Sequence, residues 1–143
     1  MSEVRALVPG PAEGIALVLS APLSFWGGVD TEDGTVIDRH HPQVGETVRG
    51  RVLVMPSGRG SSSSSSVLAE SIRAGTGPVA IVLAEPDGIL ALGALVASKL
   101  YGRTTPVVVA DDHTYRSIES GAELEIRPRG DGWEVAPRQR ERR

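Results

Sequence analysis

A short glycine-containing turn followed by six consecutive serines has the clearest chemical potential in this sequence. The turn, Met-Pro-Ser-Gly-Arg-Gly at 55–60, leads into the serines at 61–66. A largely apolar run (51–55) precedes the serines, and a run compatible with a helix (67–73) follows them. The first N–H groups of a helix attract anions, because they lack partners and lie at the positive end of the helix dipole. The pattern therefore predicts an anion-binding turn.

A run of serines also has a simpler interpretation as a flexible linker, because Ser-rich tracts are usually unstructured. Three features of this tract favour a structured turn. It is short, apolar residues flank it closely on both sides, and the composition does not change across it. Composition alone leaves both interpretations open.

Two common catalytic motifs are excluded at the turn. No Gly-Lys-Ser/Thr stands at the spacing of a Walker loop, and Ser63 stands where a nucleophile elbow needs glycine. What the turn does offer is a cation, Arg59, and a serine hydroxyl in the first helical turn. Such a hydroxyl can donate a hydrogen bond to a carboxylate or phosphate. It can also accept a proton, provided that the helix end and the arginine stabilise its ionised form.

Metal ligands are scarce in the rest of the chain. There is no cysteine, which excludes disulfides and any Cys-ligated zinc or iron–sulfur site within this chain. The segment 38–41, Asp-Arg-His-His, is the densest cluster of titratable groups. Neighbours in an extended chain point in opposite directions, and no third ligand lies at a familiar spacing. We therefore expect no metal in this chain, and interpret 38–41 as a structural loop or a loop that lines a site built elsewhere.

Two aromatic residues, Phe25 and Trp26, stand beside a pair of glycines. Aromatic residues make up only 3% of the chain, so their placement side by side is unusual. One interpretation is a hydrophobic plug under a loop. The other is a surface that packs against a partner or frames a cleft.

Length and charge restrict the class of protein. A chain of 143 residues suffices for one domain with a real core. The net charge of −3 gives no reason to expect a nucleic-acid partner. An acidic Glu3 and a short first apolar run (15–19) argue against a signal peptide, and the longest apolar run (89–97) is too short to span a bilayer. We therefore expect a cytoplasmic protein without a membrane partner.

The order of elements predicts the fold class. Between 52 and 109 the sequence indicates strand, glycine turn, helix, strand, helix and strand. That order favours parallel strands joined by right-handed crossovers, and the flanks add further β structure, so we predict a compact α/β domain. In the second helix, predicted at 89–100, the spacing indicates that Leu92, Leu95 and Val96 face the core.

The C-terminal part of the chain predicts two more strands and a tail. Residues 123–126 alternate in polarity as a half-exposed strand does, and 133–135 predict a strand that pairs with them. The segment 137–143 carries four arginines and no apolar side chain other than that of its proline. That composition predicts disorder.

Several segments together resemble the swivel-domain (small) subunit of aconitase X-type hydro-lyases. They are Pro-Leu-Ser-Phe-Trp-Gly-Gly-Val-Asp (22–30), Ile-Asp-Arg-His-His-Pro (37–42), Pro-Ser-Gly-Arg-Gly-Ser (56–61), Ile-Leu-Ala-Leu-Gly-Ala (89–94), Leu-Tyr-Gly (100–102) and Pro-Val-Val-Val (106–109). The resemblance extends from about Arg5 to about Ile126. It implies a swivelling β/β/α three-layer domain like the mobile domain of aconitase. Residues 1–128 would form this swivel domain, and 129–143 a C-terminal strand and a basic, disordered tail.

The resemblance also implies a function. It implies the small subunit of a hydro-lyase that dehydrates a small anionic hydroxy acid, of the phosphomevalonate or cis-3-hydroxy-L-proline class. The implied partner is a large subunit whose iron–sulfur cluster takes the leaving hydroxyl as a Lewis acid, while this chain binds no cofactor. In the family the serine after Gly-Arg-Gly accepts the proton, a position that matches Ser61. Arg59, Gly60 and Ser62 would hold the substrate and stabilise the developing charge.

Alternatives stay open for the identity of the base and for the function of the chain. The family often has Thr or Gly after the catalytic serine where this chain has only serine, so the serines at 62–65 are alternative bases. A non-catalytic anion-binding or assembly module of the same fold is an alternative function. A phosphohistidine carrier is disfavoured, because His40, His41 and His113 lack a Gly/Thr-rich setting.

Overall fold

The computed structural model describes residues 2–138, which form seven strands and four helices. In chain order these are β1 (Ser2–Val8), β2 (Ala12–Val18), α1 (Phe25–Gly28), β3 (Val52–Met55), α2 (Ser63–Ala74), β4 (Ala80–Leu83), α3 (Gly88–Tyr101), β5 (Val107–Val109), α4 (Asp112–Ser117), β6 (Glu123–Arg129) and β7 (Gly132–Pro137). None of the helices in this part of the chain has the length and apolar character needed to cross a bilayer.

The strands close into a mixed barrel in the order β1-β5-β4-β3-β2-β6-β7. Strands β2, β3, β4 and β5 pair in parallel, and every pairing that involves β1, β6 or β7 is antiparallel. Helix α2 connects β3 to β4, and α3 connects β4 to β5. The predicted α/β domain with parallel strands joined by helices is thus confirmed, and the closed seven-stranded barrel is its specific form.

Strands β3 and β4 are buried on both faces, because their side chains alternate between two hydrophobic clusters. One cluster lies between the parallel strands and the helices, where Leu53 and Ile81 join Leu68 of α2 and Leu90 of α3. The other fills the barrel, where side chains of the same strands meet side chains of β6 and β7. Its buried members are Ala16, Val52, Val54, Ala80, Val82, Val108, Ala110, Leu124, Ile126 and Val135. This double burial explains the uninterrupted apolar sequence of β3 and β4.

Helix α3 faces the core with a different side from the one predicted. Leu92 and Leu95 are exposed, and the buried face consists of Leu90, Gly93, Ala94 and Ala97. The small residues allow close contact with α2, since a Cβ added at Gly93 would lie 2.6 Å from the carbonyl oxygen of Ser65. The prediction was therefore wrong for Leu92 and Leu95. Val96 does pack against the core, as predicted.

The C-terminal strands complete the barrel. Strand β7 pairs with β6, with Val135 opposite Ile126, which confirms the predicted pairing. It also pairs with β1, where Val135 lies opposite Ser2. After Pro137 ends β7, the N–H of Arg138 donates to the carbonyl of Glu123 over 2.9 Å. The remainder of the tail predicted to be disordered, residues 139–143, lies outside the described residues.

Candidate active site

The glycine–serine turn connects the buried end of β3 to the start of α2. It begins beside the β2–β3 loop, where Leu23 and Gly58 form a parallel bridge. Gly60 has a φ of +111°, and a Cβ there would lie 2.7 Å from the Ser64 hydroxyl oxygen and 2.8 Å from that of Ser24. Both the backbone angle and the lack of space require glycine at this position. The turn is therefore a built structure and not a flexible linker.

The six serines divide into two groups. Ser64 and Ser65 are buried, whereas the serines at 61, 62, 63 and 66 are exposed. The Ser65 hydroxyl donates to the carbonyl of Ser62 over 2.7 Å, and the Ser64 hydroxyl lies 3.1 Å from that of Ser24. A longer contact of 3.4 Å joins the Ser64 hydroxyl to the carbonyl of Arg59. The two buried hydroxyls are therefore engaged in holding the turn together.

Ser61 and Ser62, the two residues directly before α2, leave polar groups open to solvent. The N-cap residue, Ser62, makes no side-chain capping bond. The Ser61 hydroxyl oxygen accepts only a long bond of 3.4 Å from the Ser63 N–H. Within residues 2–138, the backbone N–H groups of Ser61 and Ser62 have no acceptor. Because unsatisfied N–H groups at a helix start carry partial positive charge, this end of α2 is suited to an anion.

A cation stands beside these free donors. Arg59 is exposed and makes no ion pair with any residue of the part of the chain that the structure describes. An exposed, unpaired guanidinium can bind a carboxylate or phosphate through two parallel hydrogen bonds. The four residues predicted as the site, 59–62, thus combine a cation, two free N–H groups and two exposed hydroxyls in one turn.

Sequence reasoning missed the partner of this turn, which is Ser24. Its hydroxyl donates to the carbonyl of Trp26 over 3.0 Å. The same hydroxyl also makes a 3.1 Å contact with the Ser64 hydroxyl, in which either oxygen can be the donor. The result is a chain of hydrogen bonds from α2 to the β2–β3 loop. No local pattern signals a pair that is 40 residues apart in the sequence.

The two aromatic residues, Phe25 and Trp26, have different surroundings, and the plug interpretation applies to the first of them. Phe25 is fully buried and acts as a plug in the helix-side cluster. Trp26 is 64% exposed and lies on the surface. The chain leaves helical geometry directly after the pair, where Trp26 has a ψ of 113° and Gly27 has a φ of +76°.

The histidine cluster is part of a structural loop. His41 is buried, and its Nδ1 accepts from the N–H of Gln43 over 3.0 Å. The proton must therefore be on Nε2, which donates to the carbonyl of Ala21 over 3.0 Å. Both ring nitrogens are thus used, and His41 cannot bind a metal. Across residues 2–138 there is no group of three or more His, Asp or Glu side chains arranged to hold a metal ion.

The best-defined clefts of the described residues lie away from the turn. One of about 420 Å³ lies at the opposite end of α2, where Gly75, Gly77, Arg49 and Arg103 line it. A groove of about 300 Å³ lies between α4 and the C-terminal strands, and it includes Thr114. Neither contains any of residues 59–62. Because residues 59–63 are exposed, a closed site at the turn would need a second wall from another protein or another part of a longer chain.

Comparisons with known proteins identify the family of this chain. The family model of the aconitase X swivel domain matches residues 1–135. A cis-3-hydroxy-L-proline dehydratase of Pseudomonas aeruginosa is 55% identical over 103 residues, which are 72% of this chain and 18% of that protein. A phosphomevalonate dehydratase small subunit of Pyrococcus furiosus is 37% identical over 131 residues, 92% of this chain and 90% of that subunit. The chain therefore spans less than a fifth of the first relative and most of the second.

A solved structure supports the same relationship. The crystal structure of aconitase X from Thermococcus kodakaraensis superimposes with a TM-score of 0.76 and 33% sequence identity. The superposition covers 87% of this chain and 88% of the chain in that structure. With a family match over nearly the whole sequence and a shared fold, this chain belongs to the aconitase X swivel domain family.

Proposed function

We propose that this chain is the small subunit of a two-subunit aconitase X-type hydro-lyase that dehydrates a hydroxy acid. The substrate class is that of phosphomevalonate or cis-3-hydroxy-L-proline, the substrates named by its relatives. One observation carries the proposal: an exposed serine hydroxyl, an unpaired arginine and an uncapped helix start meet in one turn. A two-subunit enzyme is favoured because the chain aligns with nearly the full length of a stand-alone small subunit.

In this proposal the domain moves as a swivelling β/β/α unit of three layers. The antiparallel strands β6 and β7 would form the first layer, the parallel strands the second and the helices the third. Two separate hydrophobic clusters support this view, since three stacked layers need two interfaces. Movement of the unit would open and close the site and exclude water from it.

Ser61 acts as the base in the proposed reaction. Its oxygen takes the proton from the carbon next to the substrate carboxylate, and the hydroxyl leaves from the neighbouring carbon. A serine hydroxyl is a weak acid, so its ionised form must be stabilised. Arg59 and the free N–H groups at the start of α2 supply positive charge for this purpose. Ser61 is favoured over Ser64 and Ser65 because those hydroxyls are buried and hydrogen-bonded.

The neighbouring residues bind the substrate anion. The Arg59 guanidinium is unpaired and can take a carboxylate or phosphate in a bidentate manner. Gly60 has no side chain, so the backbone can approach the anion closely. Ser62 contributes its N–H and an exposed hydroxyl. These contacts would orient the substrate so that the proton to be removed faces Ser61.

The iron–sulfur cluster of the proposed enzyme is assigned to the large subunit. Cysteine thiolates hold such clusters, and this chain has no cysteine. Its described residues also offer no cluster of alternative ligands. The residues of this chain therefore do not fit the group, and the Lewis acid for the leaving hydroxyl belongs to the partner.

The proposed function is tested by reconstitution with an aconitase X-type large subunit from the same organism. We expect the isolated chain to be inactive and the mixture to dehydrate one of the two substrates. Ser61→Ala should fold, assemble and lose about 10²–10⁴-fold in kcat, the usual contribution of a positioned base. Ser66→Ala is the matched control, because Ser66 is an exposed serine of the same tract and should retain full activity.

The outcomes separate the alternatives. Full activity of Ser61→Ala would assign the base to another residue, with Ser62 and Ser63 as the exposed candidates. Failure of the assembled wild-type complex with both substrates would contradict the dehydratase function. Tight binding of small carboxylates or phosphates by the chain alone, measured by calorimetry and unaffected by the large subunit, would favour an anion-binding module.

A further inference from the structure

Three large apolar side chains are exposed on the loop between β2 and β3. Trp26 is 64% exposed, and Ile37 and Val44 are each 47% exposed. Their backbone segments adjoin one another. The N–H of Ile37 donates to the carbonyl of Gly28 over 2.9 Å, and the N–H of Gly45 donates to the carbonyl of Val36 over 2.9 Å. We call these three side chains, Trp26, Ile37 and Val44, the loop patch.

Trp26 is exposed, although residues on either side of it in the sequence are buried. Phe25, one residue earlier, is fully buried, and Gly28, two residues later, is buried as well. A Cβ at Gly28 would lie 3.3 Å from Leu23 Cδ1, so the segment is closely packed behind the indole. Gly27, with a φ of +76°, provides the turn that follows the two aromatic residues. Exposed apolar side chains that cluster on one surface are typical of a contact surface, and Trp26 is the most exposed of the three in the loop patch.

Hydrogen bonds join the loop patch to residues 59–62, which we call the catalytic turn because the proposed function places the base there. The carbonyl of Trp26 accepts from the Ser24 hydroxyl over 3.0 Å, and Ser24 lies 3.1 Å from the Ser64 hydroxyl in the first turns of α2. The backbone of Gly60 packs directly against both hydroxyls. The indole and Ser61 are therefore on neighbouring, mutually bonded segments. A protein that covers one of them approaches the other.

We propose that the large subunit docks on the loop patch, with Trp26 as its central contact. This inference rests on the proposed function and identifies the surface through which the site is completed. Residues 59–63 are exposed, so a protein that encloses the site must lie against this side of the domain. In the Pseudomonas aeruginosa relative the matching region is only 18% of a longer protein, so such a domain has a large neighbour in one chain. Trp is enriched at the energetic centres of protein interfaces.

Helix α3 offers a control surface far from the turn. Leu90 lies near the catalytic turn, since a Cβ at Gly58 would lie 2.8 Å from its Cδ1. Leu100 is 69% exposed and lies ten residues further along the helix. At 1.5 Å per residue this is about 15 Å along the axis. Truncation of Leu100 therefore removes a similarly exposed apolar side chain that the proposed interface does not include.

The test measures binding of the aconitase X-type large subunit to immobilised wild type, Trp26→Ala and Leu100→Ala. We expect Trp26→Ala to weaken the equilibrium affinity by about thirtyfold, the size of a central Trp contact. Leu100→Ala should bind within about twofold of wild type, as expected for a position outside an interface. Ile37→Asp is a second variant of the patch and should also weaken binding. Since these side chains are exposed, circular dichroism should show unchanged folding.

Activity measurements provide an independent readout. At saturating small subunit, kcat of Trp26→Ala should return to the wild-type value, because Ser61 and Arg59 are intact. Unchanged affinity of both Trp26→Ala and Ile37→Asp, with wild type binding normally, would overturn the docking site and leave the proposed function standing. A larger loss for Leu100→Ala than for Trp26→Ala would move the interface to α3. If the wild type fails to bind the large subunit, both proposals are wrong.

Discussion

Helices α2 and α3 both begin after a parallel strand of the same sheet, but their N-termini are treated differently. Asp87 caps α3, where its carboxylate accepts from the N–H groups of Ile89 and Leu90 over 2.9 and 3.1 Å. The shorter α4 is capped in the same way by Asp111, which accepts from the Thr114 N–H over 2.7 Å. Helix α2 lacks a comparable cap, since Ser62 makes no capping bond and Ser61 accepts only a long bond of 3.4 Å from the Ser63 N–H. Carboxylates thus accept hydrogen bonds from N–H groups at the starts of α3 and α4. At the start of α2 the N–H groups of Ser61 and Ser62 have no acceptor within the described residues.

The opening of α2 is confined to its first turn. At its other end Gly75, with a φ of +78°, donates its N–H to the carbonyl of Ile72 over 3.1 Å. The Thr76 hydroxyl closes the adjoining loop by donating to the carbonyl of Thr31 over 2.7 Å. Nearby, a hydrogen bond from Arg73 lowers the pKa of the Glu70 carboxyl. Omission of an N-cap costs about 1 kcal/mol, and a bound anion would supply the missing partner.

The first prediction closes the open helix start. Ser62→Asp places a carboxylate where α2 lacks a cap, so the free energy of unfolding should rise by about 0.5–1 kcal/mol. The fixed charge would also compete with the substrate anion. With a charged hydrogen bond worth about 1.5–3 kcal/mol, kcat/KM of the reconstituted enzyme should fall about 10–100-fold. Denaturant unfolding and steady-state kinetics measure the two effects.

The control for this substitution is Ser66→Asp. It adds the same charge at an exposed position of α2 outside the open first turn. We expect its kcat/KM to stay within about twofold of wild type, as for an exposed substitution worth no more than about 0.5 kcal/mol. Undiminished activity of Ser62→Asp would show that the open helix start does not bind the substrate.

The second prediction concerns the glycine that shapes the turn. Gly60→Ala introduces a Cβ at a φ of +111° and within 2.8 Å of two hydroxyl oxygens, those of Ser24 and Ser64. Such backbone strain costs about 1–3 kcal/mol, and the contact displaces the turn that carries Ser61. Gly121→Ala is the control, since Gly121 also has a positive φ, +91°, but nothing lies within 4 Å of its added Cβ. Equal losses of stability in the two variants would show that the contact with Ser24 and Ser64 is unimportant.

The third prediction tests the comparison of the caps directly. Asp87→Ala should destabilise the protein by about 1 kcal/mol, and Asp87→Ser should recover most of that loss because serine also caps helices. Ser62→Ala should change the free energy of unfolding by less than about 0.5 kcal/mol, since Ser62 makes no capping bond. Urea denaturation followed by circular dichroism distinguishes these values. An equal cost at both positions would mean that α2 is capped in solution.

Much of the fold could be predicted because its signals are local. The apolar strands β3 and β4 and the glycines that end α2 and α3 are each visible within a few residues. The inward face of α3 could not be predicted in the same way, because Gly93, Ala94 and Ala97 face the core through their small size and not their hydrophobicity. Closure of the barrel by β1 and β7 joins opposite ends of the chain, and no local pattern encodes that pairing.

The candidate site also has a part that local sequence signals predict and a part that depends on tertiary packing. Residues 59–62 are contiguous, so the sequence alone presents the arginine, the glycine and the serines together. The separation of exposed Ser61 from buried Ser64 depends on which side of α2 packs against the β2–β3 loop. Likewise, Phe25 is buried and Trp26 exposed although they are adjacent, a difference that the sequence does not encode locally.

The last and smallest predicted effect is the pH dependence of a charged cap. The backbone N–H of Thr114 holds the pKa of the Asp111 carboxyl below its usual value. A lowered pKa means that the charged form stabilises the folded state above the unfolded-state pKa of about 3.9, and that this stabilisation is lost as the pH falls through the folded-state pKa. Asp111→Asn keeps a capping oxygen but removes the charge. Wild type should therefore be more stable than this variant at pH 7, and the difference should disappear in acid.

Urea unfolding of wild type and Asp111→Asn at a series of pH values from neutral to about 3 measures this difference, and α2 supplies the control. Ser62→Asn introduces an uncharged side chain at a helix start that has no carboxylate cap, so its difference from wild type should not vary with pH. A constant difference for Asp111→Asn would mean that the charge at α4 contributes nothing. A pH-dependent difference for Ser62→Asn would mean that a titrating group already acts on the first turn of α2, and the contrast between an occupied and an open helix start would then be lost.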